Sequence, residues 1–451
     1  MKTLAAAGLV LVASLFPLWS QKAGDEALGT VPYARFAESE ACAACHVDLG
    51  MQHRQSLMSQ CFTHPWDEIE YFELALPHSE KEPKVAGIKA GCNGCHAPLA
   101  FLAGDIPPQR PAAGTRANEA VSCEMCHSIT GFQGEIPFNF NYIADPGDVK
   151  QGVRPEASSQ VHLVKANPFL RSSEFCGTCH NEKDPFGMWV KATQLEWKES
   201  PYAKAGIVCQ DCHMPPAPGE AAPGLSPERP DLRQHLFHGA HAEGKLAGAA
   251  EVRVHPQAVE AAAGDSVRFL VTVFNAKAGH MIPSGSAEER LLWLHVELTD
   301  ARGHRYHLPV DRKGFEGEQY TVASSEALAY QDIGDIRSLP DFPGLARDGQ
   351  VPPGDRIFRL PYLDPQGRMT IAQWNTAAFG PDYRLPPLKG VSETYTWHIP
   401  QNAPPGPVTV TATLWYSRLV SSVADYLGIP AEEYAPVLMN SHRAVLEITQ
   451  P

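Results

Sequence analysis

The sequence predicts a two-part α+β protein, with a loop- and helix-rich N-terminal domain followed by an all-β, sandwich-like domain. Three observations predict it. Ten of the 11 cysteines fall into five CxxCH units, and none lies beyond Cys212. A stretch rich in Pro, Gly and Ala (residues 214–230) follows the last unit and has the character of a linker. Beyond it, apolar residues recur with period two. With 451 residues, 43% hydrophobic and 20% charged, the chain is long enough for two or three domains. That composition excludes a disordered chain and an integral membrane bundle. The expected division is an export signal over 1–20, the motif domain over 30–216, a linker over 217–248 and the β domain over 249–451.

At the N-terminus, Lys2 precedes an apolar run over residues 4–18, which reads as a secretory signal cleaved after Ser20 or Ala23. An uncleaved anchor is the competing reading. The run is short for a bilayer span, and no later segment is long enough to cross one. The mature chain is therefore expected to lack an integral span and to reside in the periplasm, with the cell surface or the extracellular space as alternatives. Against 51 acidic residues stand 37 Lys and Arg, a formal charge of −14. Such an acidic chain has nothing with which to neutralise phosphates, which excludes a nucleic-acid partner.

The motifs come next. They are Cys42–Cys45–His46, Cys92–Cys95–His96, Cys123–Cys126–His127, Cys176–Cys179–His180 and Cys209–Cys212–His213. Two thiols three positions apart match the two vinyl groups of one porphyrin, and the following histidine places an imidazole under its iron. Five such units imply five covalently attached c-type haems, with His46, His96, His127, His180 and His213 as proximal ligands. A zinc site would not demand a histidine after every pair. The first cysteines are separated by 50, 31, 53 and 33 residues, and the second and third motifs repeat in the fourth and fifth at offsets of 84 and 86. This spacing suggests a duplicated two-haem unit preceded by one extra haem, with the haems closely packed.

Of 19 histidines, 14 remain after the proximal five, and only His53, His64, His78 and His162 of these lie within the motif region. Five bis-histidine haems would need a fifth distal ligand from beyond it, or one iron is ligated otherwise or open. His162 is the first candidate. His53 and His64, flanking the lone Cys61, follow, with His78 behind them. Of the three histidines after the linker, His235, His238 and His241, one is a natural fifth ligand. His280, in the turn of NAKAGHMIPSG, is another candidate that could reach a haem from the β region. Met58 and Cys61 are weaker candidates; an ordinary packed side chain is the simpler reading of each.

In the C-terminal region Val267, Phe269, Val271 and Val273 alternate with Arg268, Leu270, Thr272 and Phe274. Leu292–Val296–Leu298, Val408–Val410–Leu414 and Ala444–Leu446–Ile448 keep the same period. Period two with β-branched enrichment predicts strands, and several of them with polar turns predict a sandwich. Residues 311–388 are less regular and are expected to form long loops or an elaborated insertion.

The motif domain resembles the multihaem cytochromes of the c554/c-prime superfamily. The likeness rests on EFCGTCHN (174–181), EWKESPYAKAGIVCQDCHMP (196–215) and VFNAKAGHMIPSG (273–285), and it extends over about residues 40–300. It implies that His280 is a haem ligand. Relatives often carry a Ser-x-His unit after the first motif; here the stretch reads Ser56-Leu57-Met58, which leaves the first haem His/Met, bis-histidine through His53 or His64, or open. The leading functional expectation is an exported electron carrier relaying charge between redox proteins. The alternatives are an oxidoreductase with one open haem, acting on a small nitrogen or sulfur compound, and a self-associating filament subunit. Whether the chain is an enzyme is left open by the sequence.

Overall fold

A computed structural model describes residues 25–311, 328–347 and 349–449. The predicted export signal lies outside the described residues, as does part of the irregular stretch. No helix among the described residues is long and apolar enough to cross a membrane.

Each motif is wound as about one turn of helix, which brings cysteines at i and i+3 and the histidine at i+4 onto one face. Helix α1 (Ser39–Ala43) carries Cys42 and leads through His46 into α2 (Val47–Arg54). Helices α3 (Ile88–His96), α5 (Ser173–His180) and α6 (Cys209–His213) each end on their histidine, and α4 (Cys123–Ser128) holds His127 in its last turn. Side-chain hydrogen bonds start three of them, α4, α5 and α6. Ser122 accepts from the Met125 amide at 3.1 Å, and Ser172 from the Phe175 amide at 3.4 Å. At α6 the Asp211 carboxylate accepts from the Val208 amide at 3.0 Å. Within the second motif, a Cβ on Gly94 would stand 2.3 Å from the Phe140 ring, so only glycine permits that ring to seal the helix.

The stretch expected to be a linker is partly ordered as a hairpin, Pro216–Glu220 pairing antiparallel with Glu228–Arg233. A bulge between Ala217 and Gly219 accommodates the prolines, which cannot donate to a regular ladder.

The C-terminal region contains nine strands used below. They are β1 (Ala250–Pro256), β2 (Glu260–Ala262), β3 (Ser266–Asn275), β4 (Leu291–Thr299), β5 (Arg305–His307), β6 (Arg356–Phe358), β7 (Gly390–His398), β8 (Gly406–Ser417) and β9 (Val437–Thr449). They form a three-stranded sheet ordered β7-β3-β1 and a six-stranded sheet ordered β2-β9-β8-β4-β5, with β6 also on β4. All neighbours are antiparallel except β2 and β9. Alternate residues of both sheets enter one apolar core: Val267, Phe269, Val271 and Val273 from β3, Leu292, Leu294, Val296 and Leu298 from β4, and Val408, Val410 and Leu414 from β8. The period-two pattern arises because only one face of each strand is dry.

The two halves of the chain share a second core. Trp66, Tyr71, Leu74 and Ile88 pack with Leu291, Trp293, Ile333, Trp374 and Val420. This shared packing brings the helices after the first motif against the back of the six-stranded sheet.

Candidate functional site

Three of the motif histidines each face a second imidazole. His46 and His162 have ring centroids 6.2 Å apart, His127 and His235 6.3 Å, and His213 and His280 6.4 Å. Two imidazoles bound to one metal through nitrogens at about 2.0–2.1 Å would have centroids about 6.3 Å apart. All three pairs therefore leave room for one metal ion and no more.

The second nitrogen of each ring supports the same reading. Nδ1 of His46 donates to the Ala221 carbonyl at 2.8 Å, that of His127 to Gln151 at 2.7 Å and that of His213 to His238 at 2.7 Å. Across from them, Nδ1 of His235 donates to Arg233 at 3.0 Å and that of His280 to Met281 at 2.8 Å, while His162 makes a longer contact of 3.2 Å to Leu163. An imidazole held by Nδ1–H leaves Nε2 with its lone pair, the arrangement found in metal-ligating histidines. Burial, and then the facing histidine, push His213 and His235 down to about 4, which keeps them in the neutral, ligating form. The residues thus fit covalent haem: paired thiols, a free Nε2 beside them, and an opposed Nε2 in three of five cases.

The elements that deliver the opposing rings are distant in sequence. Residues 149–152 pair in parallel with 163–166, which presents His162 to His46. The hairpin ending at Arg233 delivers His235, and the turn after β3 delivers His280. His162 adjoins the fourth motif in the chain but faces the first, so the first motif has an imidazole opposite it despite lacking a Ser-x-His unit. Other candidates sit elsewhere. His53 donates through Nε2 to the Val121 carbonyl at 2.9 Å, and His238 offers its backbone carbonyl to His213. His78 accepts at Nδ1 from the Trp374 indole at 3.0 Å.

His96 is held differently. Its Nδ1 faces the Cys61 carbonyl at 2.7 Å and the Asp67 carboxylate at 3.1 Å. Burial opposes protonation, but Asp67 prevails and raises His96 to about 9. Asp67 in turn meets His64 Nδ1 at 3.2 Å, and His64 Nε2 meets Glu433 at 2.8 Å. Against its own burial, these imidazoles hold Asp67 well below the usual carboxylate range. The chain Glu433–His64–Asp67–His96 lines a small cavity of about 60 Å³ together with Lys191 and His241. Lys191 pairs with Glu182 at 2.7 Å and with Gln373. Among the described residues, no imidazole ring is stacked opposite His96 or His180. Asp67, Lys191 and Glu433 are missed by sequence reasoning: 366 positions separate Asp67 from Glu433, and no motif links them.

The motifs also touch one another. Cysteines of different motifs lie close to one another: Cys42 beside Cys123, Cys95 beside Cys179 and Cys176 beside Cys209. Cys126 lies within electrostatic reach of Cys179 and Cys176. The amide of Cys123 donates to Ser39 Oγ at 3.5 Å, and that of Cys209 to Ser173 Oγ at 3.2 Å. The repeated contact therefore relates the first and third motifs to the fourth and fifth. The spacing offsets of 84 and 86 relate the second and third motifs to the fourth and fifth, and this contact is a separate correspondence.

No protein-family model matches the chain, and no curated protein does. Among solved structures it is similar to a penta-heme cytochrome c552 from Thermochromatium tepidum, with a TM-score of 0.59 and 20% identity over 92% of this chain and 100% of that chain. Spo0M from Bacillus subtilis (10% identity, 45% of this chain and 49% of that chain, TM-score 0.16) and the Escherichia coli fimbrial subunit AggA (9%, 46% and 97%, 0.19) are too distant to carry an argument. The chain thus has an α+β fold, with its helices and many strands arranged like those of a penta-heme cytochrome.

Proposed function

We propose that the protein is an exported multihaem c-type cytochrome that relays electrons between redox proteins. The observation that carries this reading is the set of three imidazole pairs spaced for a single metal, each including the histidine of a CxxCH unit. A covalently attached haem supplies one-electron chemistry at each motif. The chain's own part is to anchor ten thiol positions, orient His46, His96, His127 and His213 through Nδ1, and hold the five motifs in one connected cluster. The approaches of Cys42 to Cys123, Cys126 to Cys179, Cys95 to Cys179 and Cys176 to Cys209 connect all five motifs, with the fourth as the branch point. The formal charge of −14 suits partners with basic docking patches. Haem attachment on the outer side of the membrane favours a periplasmic or surface location.

A second reading attaches to the second motif: an oxidoreductase acting on a small nitrogen or sulfur compound. It is favoured by the carboxylate on His96 Nδ1, which makes that imidazole the most electron-donating of the five, and by the adjoining polar cavity.

The test is carbon monoxide binding to the reduced protein, counted against total haem. His162→Ala, His235→Ala and His280→Ala should each add about one-fifth of the haem to the CO-binding fraction. If none adds to it, the pairing is wrong. An unmodified protein that binds no CO removes the second reading and leaves the first.

A further inference from the structure

We propose that His295, His307 and Asp355 form a divalent transition-metal site of the zinc class in the β region, remote in sequence from every CxxCH unit. The register of the six-stranded sheet builds it. Along one edge of β4, β5 pairs with residues 297–299 and β6 with residues 292–294. The pair Leu294↔Arg356 puts Asp355 level with His295, and Glu297↔His307 puts His307 two residues further along the same face. His307 and Asp355 therefore meet His295 where the ladder on that edge is interrupted.

Nδ1 of His295 is 3.0 Å from both Asp355 oxygens, and Nε2 of His307 is 2.7 Å from Oδ1. The two rings are nearly parallel, at 9°, with centroids 5.0 Å apart. All three donor atoms lie within 4.8 Å of one another. Ligands at about 2.0–2.1 Å from a tetrahedral zinc ion stand about 3.3 Å apart, so each imidazole–carboxylate distance would open by only a few tenths of an ångström on binding. The carboxylate is fully buried, and both imidazoles, His295 and His307, are hydrogen-bonded to it. A buried carboxylate calls for a positive partner. The rings are 23% and 34% exposed, which leaves the open side for water to complete the shell.

The turn carrying Asp355 is fixed. Gly354 has φ +98°, and a Cβ there would stand 2.7 Å from Pro309. Its carbonyl accepts from the Val310 amide at 3.0 Å. The turn is thus clamped against β5, and the carboxylate is placed before any ion arrives. Two imidazoles with one carboxylate and an open position suit zinc and its borderline neighbours rather than calcium or magnesium.

The experiment uses the full-length, haem-loaded protein, stripped with chelator and titrated with zinc by calorimetry, with bound zinc counted by mass spectrometry. One zinc per chain is expected, with affinity falling at least about tenfold in His307→Gln and unchanged in His241→Ala, which alters the other histidine–carboxylate cluster. Asp355→Asn should abolish binding but also removes a buried anchor, so the partly exposed His307→Gln is the deciding variant, with its haem spectrum and circular dichroism as folding controls. No zinc taken up by the unmodified protein, or full uptake by folded His307→Gln, overturns the proposal.

Discussion

Replacing Asp67 by asparagine is the most informative single change under the proposed reading. The carboxylate lies 3.1 Å from His96 Nδ1. Adding the width of the ring and one metal–nitrogen bond places it about 7 Å from an iron bound at Nε2. One unit charge at that distance, with an effective dielectric of about 20, interacts by about 2.4 kcal/mol. At about 1.4 kcal/mol per 59 mV for one electron, that corresponds to about 100 mV. The His64 imidazole at 3.2 Å offsets part of the charge, which brings the expectation to about 50–100 mV. The shift is upward, because removing a negative charge destabilises the oxidised iron. Asparagine keeps an acceptor for Nδ1–H, so the ring orientation survives. The assay is a spectroelectrochemical titration of both proteins fitted as five one-electron components. One component should move and four should hold. A shift below about 20 mV, or an equal shift of all five, would refute the argument that Asp67 acts through His96.

Two further outcomes follow from packing and burial. Gly94→Ala should drive a methyl into the Phe140 ring and lower haem incorporation by about one haem in five, read as the haem-to-protein ratio; full loading would show that the ring yields without cost. Asp332 is raised to about 7 by burial, partly offset by the Thr370 hydroxyl, so its folded-state value lies above its unfolded one. Its contribution to stability is then fully present below about pH 4 and is lost as pH rises towards 7. Melting temperature should fall less between pH 5 and pH 8 in Asp332→Asn than in the unmodified protein, and parallel curves would contradict the assignment.

How far the sequence discloses this protein depends on the range of each interaction. The CxxCH units are local chemistry, complete within five residues, and each appears as a helical turn. The strands are nearly as plain, since Val267, Phe269, Val271 and Val273 all enter the core that their alternation implies. The opposing imidazoles are different. His162 lies beside the fourth motif in the chain, but a parallel pairing with residues 149–152 swings it to the first. His235 and His280 depend on a hairpin and on a turn after β3, whose placement is set by sheet packing. The Asp67–His64–Glu433 chain joins residues from opposite ends of the protein, and the His295–His307–Asp355 cluster exists only through register. None of these has a periodicity or spacing to betray it.

The position of His235 and His280 bears on how the protein is assembled. Both lie downstream of all five CxxCH units, so the third and fifth motifs meet their opposing rings only after the hairpin and β3 have formed. Under the proposed reading, each thioether bond can be made on an open chain, but ligation at those two irons waits for the sheets. Binding energy released there is then folding energy for the C-terminal half. A chain loaded with fewer haems should accordingly be recognised by a loosened β region as well as by its colour. Proteolysis would reach first the half that carries no attachment site at all.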